Sequence, residues 1–158
     1  MFPLFKSSIL LVLLSPALLP TALGQSQSGI FDKFDEFGDT RCEDEMARLD
    51  NFAIQLMQEP QSKGVIIFYG GQTFRGRLPT RGEAEARAAR LKPYLVQRRG
   101  IPADRIVVIN GGYIDKWSAQ FWIVPPGLSL PTADSSLVIK NVRFRPGKVN
   151  PRDYRCGI

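Results

Sequence analysis

The residues of this chain with the means to do chemistry gather in two glycine-bearing loops. The first, GGQTFRGRLPTR at 70–81, carries Arg75, Arg77 and Arg81, and Arg87 follows it in a helical pattern. A loop between the end of a buried strand and the start of a helix is where open α/β sheets bind anions. Its basic residues suit an anion-binding mouth shared with Arg87; a solvated basic turn is the alternative. The second, NGGYIDKW at 110–117, offers Tyr113, Asp115 and Trp117: a carboxylate and two rings for a sugar or peptide, or aromatics that close the core. The chain has no histidine and only two cysteines. That removes the usual general base, the Ser-His-Asp and Cys-His arrangements and the commonest metal ligand. No phosphate-cradling loop, CxxC pair or dinucleotide fingerprint occurs, and the single carboxylate of NGGYIDKW falls short of the facing pair that glycosidases generally use. The expectation is a protein that is not an enzyme and has no cofactor and no metal site.

The elements that position these loops lie within 64–124. VIIFY at 65–69 is a continuous apolar, β-branched run closed by Gly70 and Gly71, which suits a strand buried on both faces beside a parallel neighbour. A helix follows. Thr80 and Glu83 have the spacing of a capping box, Ala84, Ala88, Leu91 and Leu95 form one apolar stripe, and Pro93 predicts a kink or break near Lys92. Further strands are expected at 105–109, ended by Asn110-Gly111-Gly112, and at 119–124, ended by Pro125-Pro126. Ahead of them, 42–58 reads as a helix capped by Asp39 or Thr40. Glu43, Asp44 and Glu45 stand in its first turn, where the dipole favours negative charge, and Met46, Leu49, Ala53, Leu56 and Met57 form its apolar face.

An apolar strand, a glycine-containing loop, a helix bearing Arg87-Ala88, then Tyr94-Leu95, Gly100 and DRI at 104–106 together resemble the OmpA-like peptidoglycan-binding domain, over about residues 31–124. The resemblance implies an α+β two-layer fold of β-α-β-α-β-β order, a mixed sheet with two helices on one face, with FDKFDEF at 31–37 as its opening edge strand. In that family a loop Asp and a helix Arg grip the diaminopimelate residue of the peptidoglycan stem peptide. Arg87 falls on that Arg. Gln72 stands where the Asp should be, Thr80 where Asn is usual, Glu83-Ala84 replaces a Leu-Ser pair, and the paired arginines of the last strand are missing. The ligand set so implied is Arg87, Gln72, Thr80, Gly71, Arg75 and Asp115, giving weak or modified binding of peptidoglycan or another anionic envelope polymer. The competing expectation is a fold that has lost its ligand and docks a protein partner through Phe121, Trp122 and a C-terminal strand.

The ends of the chain bear on its compartment. Lys6, the apolar run at 9–19 and Ala22-Leu23-Gly24 have the form of a cleaved signal peptide over 1–24, with an uncleaved anchor as the alternative, and 25–30 reads as a disordered lead-in. The expected location is the periplasm or the outer membrane and cell wall, with no membrane span after signal removal. Export makes nucleic acid an improbable partner despite the net charge of +6. An even cysteine count in an exported chain suggests a Cys42–Cys156 disulfide; two separate buried thiols are the other option. Residues 32–59 hold nine acids against three bases and residues 60–158 six against seventeen, so the two portions attract each other if the acidic helix packs beside the basic segment. Beyond 124 a proline-rich linker leads to LVIKNVRF at 137–144, which alternates well enough for one strand, and then to a basic tail.

Overall fold

The apolar run at 65–69 is the middle of a longer central strand, Lys63–Gly71, whose eight residues from Gly64 onward are all buried. The computed structural model describes residues 31–74, 76–154 and 156. The expected signal peptide and lead-in lie outside the described residues, as does Arg75.

The elements in chain order are strand β1 (Lys33–Phe37), helix α1 (Cys42–Gln58), strand β2 (Lys63–Gly71), helix α2 (Glu83–Ala88), helix α3 (Leu91–Pro93), strand β3 (Ile106–Ile114) and strand β4 (Ser118–Val124). They form an α+β fold around one mixed sheet of order β1-β4-β2-β3, in which β2 and β3 are parallel and the other two pairings antiparallel. Ile66 and Phe68 face the helices, packing with Phe52, Leu56, Ala84, Ala88, Leu91 and Leu95. Val65, Ile67 and Tyr69 face the other way, where Phe31, Trp122, Leu128 and Ala133 cover them. Burial on both faces is why β2 shows no polar alternation.

β3 runs straight through the Asn110-Gly111-Gly112 that reads as a turn. Those glycines serve the sheet instead: a Cβ on Gly111 would lie 2.4 Å from the Tyr69 ring, and one on Gly70 2.3 Å from the Tyr113 ring. Each tyrosine therefore covers a bare stretch of the neighbouring strand. Gly112, at φ +88°, falls where the β2–β3 register shifts, and the irregularity sets Tyr113 opposite Gly70.

The second helix is broken rather than bent. α2 ends at Ala88, α3 is a single short turn, and Tyr94–Arg98 continues as a π-helical turn in which the Arg99 N–H donates to the Tyr94 carbonyl at 3.2 Å. Pro93 has no N–H to offer the carbonyl of residue 89, and its ring crowds that position, so the break falls at 89–90. Only half of the expected capping box forms. The Thr80 N–H donates to Glu83 Oε2 at 2.9 Å, while the buried Thr80 hydroxyl has no partner and Gly82, at φ +85°, leads into α2.

Neither Asp39 nor Thr40 caps α1, whose N-terminal flank is Arg41 with no side-chain cap. Asp39 is turned to Arg87, and the Thr40 hydroxyl donates to Asp44 at 3.3 Å. The buried face of α1 includes Phe52 and omits Met57, which is 52% exposed.

The expected strand over 137–144 does not form. The segment crosses the domain and touches it at separate points: the Ile139 N–H donates to the Tyr113 carbonyl at 2.7 Å, and the Arg145 N–H to the Pro79 carbonyl at 3.0 Å. These acceptors belong to different elements, so no ladder can propagate between them. The tail then reaches Cys156, whose disulfide to Cys42 brings the two Cα atoms to 5.1 Å. No helix among the described residues is long and apolar enough to cross a membrane.

Candidate functional site

Arg87 projects from α2 into a chamber at the C-terminal end of β2. One wall is Phe74, from the loop after β2; the opposite wall is Trp117, from the connection between β3 and β4. That connection must pass over the end of β2, because β3 and β4 lie on opposite sides of it. Gly71 permits the crossing, since a Cβ there would sit 2.7 Å from the Trp117 backbone nitrogen and 2.9 Å from the Thr73 carbonyl oxygen. The Gln72 N–H fastens it, shared between the carbonyls of Ile114 at 3.0 Å and Asp115 at 3.2 Å.

The guanidinium carbon lies 4.1 Å from the Trp117 ring centroid and 4.6 Å from that of Phe74, so the cation is held between two ring faces. Its Nη2 donates to Asp39 Oδ1 at 2.9 Å. Arg87 is 5% exposed, whereas the Asp39 side chain is 54% exposed. Burial pulls the arginine below its ordinary pKa, with Asp39 opposing that shift and Arg90 adding to it. An arginine stays charged regardless. The space left beside Gly70, Gly71, Pro79, Glu83 and Tyr113 is about 10 Å³, which is at most one water.

Behind Arg87 stands a second buried charge pair. Arg90 Nε donates to Glu45 Oε1 at 2.6 Å, and its Nη1 donates to the carbonyls of Arg87 at 2.9 Å and Tyr154 at 2.5 Å. The Tyr154 ring leans on Phe74 with centroids 5.8 Å apart, and the disulfide holds this part of the tail beside α1. Asp39–Arg87, Glu45–Arg90 and Asp50–Arg99 all join the acidic portion of the sequence to the basic one.

Of the described residues expected to form a ligand site, only Gly71 and Arg87 line the same chamber. Gln72 is exposed and absent from its walls, Thr80 is buried with its hydroxyl unpartnered, and Asp115 is exposed beside a different, wider depression with Glu36 and Leu137. Trp117 closes the core and clamps Arg87; it offers no stacking surface to solvent. Phe121, expected to dock a partner, is fully buried and stacked on Phe52 at 4.7 Å, while Trp122 packs against Phe31. Asp39, Phe74 and Tyr154 belong to the site and carry no sequence signal for it. The one hint was an acidic residue at 39 with Thr40 as another candidate for its capping role.

Glu36, in the depression beside Asp115, contributes to the acid response. Burial works to raise the pKa of Glu36, but hydrogen bonds from Lys33, Ser118 and Gln120 outweigh it, and the carboxyl lies below its ordinary value of 4.5. A depressed folded-state pKa contributes stability that is present above the unfolded value and lost as pH falls through the folded one. The expected outcome is that the urea midpoint of Glu36→Gln falls less than that of the wild type between about pH 5 and pH 3. Parallel acid limbs for the two proteins would contradict the assignment.

No protein-family model matches the sequence, and no curated protein matches it.

Proposed function

We propose that this chain is a non-enzymatic, exported module of the cell envelope with an OmpA-like fold, in which the arginine that grips the stem peptide in that family has become an internal post. In this reading the domain is a scaffold for a protein partner and does not read peptidoglycan. The β-α-β-α-β-β order supports the family likeness, and the disulfide supports an exported location. The observation that carries the loss of ligand is the closure of Arg87 between Phe74, Trp117 and Asp39, with the tail laid over Phe74.

A scaffold needs a face to offer. Among the described residues β3 has a strand neighbour on one side only. Beside it runs an open apolar groove of about 490 Å³, lined by Phe68, Ala88, Pro93, Val96 and the exposed Val108. An extended peptide adds to such an edge as a further strand, its main chain supplying the hydrogen bonds and the groove taking alternate side chains.

Stem-peptide binding stands as the second reading because Asp39 is half exposed, so a ligand carboxylate could displace it from Arg87. Pull-down on sacculi containing diaminopimelate separates the two. The scaffold reading expects wild type and Arg87→Met to be retained equally poorly. Retention of the wild type alone would return the protein to the stem-peptide reading.

A further inference from the structure

The basic loop has a second consequence outside the Arg87 chamber. Arg77 and Arg145 converge on a separate cleft of about 240 Å³, lined also by Phe74, Leu78, Glu83, Asp153 and Tyr154. Both arginines are delivered by fixed backbone. Arg77 and Phe74 exchange N–H to carbonyl bonds at 2.8 and 3.0 Å, and Arg145 is bridged to the loop through Pro79 and Thr80. Among the described residues neither guanidinium makes a side-chain hydrogen bond or an ion pair. Arg81, by contrast, is taken up against the Phe144 ring at 4.6 Å. Two uncommitted forks from different parts of the chain, facing one concavity, are an arrangement for a planar oxyanion.

The rest of the lining narrows the ligand. Glu83 and Asp153 already place negative charge at the cleft, so a dianion is disfavoured relative to a single carboxylate. Leu78, Phe74 and Tyr154 supply an apolar wall, and the volume is below the usual range of about 300–1,000 Å³ for drug-sized ligands. Burial, then Glu83 and Asp153, push the Tyr154 hydroxyl above its ordinary pKa, with a hydrogen bond to Glu83 adding to the shift and Arg145 opposing it; Tyr154 therefore serves as a neutral wall whose hydroxyl proton is donated to Glu83. We propose that the Arg77–Arg145 cleft is a carboxylate-binding site for the end of a peptide or a comparably small acyl group, with the charge on the two arginines and a short apolar side chain on Leu78.

This inference goes beyond the scaffold reading: the cleft shares Phe74 and Glu83 with the Arg87 chamber, but its two cations are different ones and Arg87 is not in its lining. The test is an NMR titration of the full chain with N-acetyl-leucine, its amide, and inorganic phosphate. Saturable shifts confined to Leu78, Arg145 and Tyr154 are expected with N-acetyl-leucine, weakened about tenfold or more in Arg145→Ala, as loss of a charge-assisted hydrogen bond implies. Arg77→Gln should weaken binding likewise, and Arg87→Met should leave it unchanged, which keeps the fate of this cleft separate from that of the Arg87 chamber. Equal shifts with the amide, tighter binding of phosphate, or no saturable shift with N-acetyl-leucine would each overturn the proposal.

Discussion

Replacing both cysteines, as Cys42→Ser/Cys156→Ser, is expected to lower stability by about 4–5 kcal/mol, the figure that the chain-entropy model assigns to closing a loop of about 100 residues. The bridge here spans 114 residues of sequence, so every strand but β1 and all the helices lie inside the loop it closes. Its removal also frees the tail around Tyr154. Arg90 then loses the Tyr154 carbonyl as acceptor, and Phe74 loses the ring that leans on it. Two readouts distinguish these parts. The urea midpoint reports the global loss, while amide exchange at 150–154 in the folded state reports whether the tail lifts before the domain unfolds. A midpoint shift below about 1 kcal/mol would mean that the tail holds by packing alone and that the bridge adds little.

The order of elements was legible in the sequence because it rests on periodicity. The apolar run of β2 and the alanine stripe of the second helix each follow from one local rule and stand in the structure; the break that Pro93 imposes also forms, but at 89–90 rather than near Lys92. What was not legible depends on crossings. Asn110-Gly111-Gly112 reads as a turn until Tyr69 is known to lie across Gly111, which only the parallel pairing of β2 and β3 reveals. The alternation at 137–144 reads as a strand, yet a strand needs a free edge running beside it, and this segment passes from Tyr113 to Pro79 across the domain. The site failed for the same reason. Arg87 is identifiable by resemblance, but its environment is supplied by Asp39, Phe74 and Trp117, which come from three different connections, β1–α1, β2–α2 and β3–β4. The acidic and basic portions of the chain did announce that they would meet; which acid meets which arginine was beyond any spacing rule.

The Arg87 series carries the largest expected effect at the site and distinguishes a post from a ligand grip. Arg87→Ala empties a slot between two ring faces and removes a desolvated cation–π contact, worth about 2 kcal/mol or more, together with side-chain packing; we expect a total loss of about 3–4 kcal/mol, within the range for truncating large buried side chains. The Asp39 carboxylate adds little to this, because it is half exposed and water can solvate it once Arg87 is gone. Arg87→Met should behave differently. An unbranched apolar side chain of similar reach fills the same slot between Phe74 and Trp117 and requires no counter-charge, and such exchanges of buried ionic groups for hydrophobes are often neutral or stabilising. Arg87→Lys should fall between the two, since a compact ammonium cannot present a plane to both rings. Thermal and urea unfolding of the three variants gives the order Met, Lys, Ala from most to least stable. If Lys instead matched wild type while Met fell to the level of Ala, the positive charge itself would be what the chamber requires, and Arg87 would again be a residue kept for an anion.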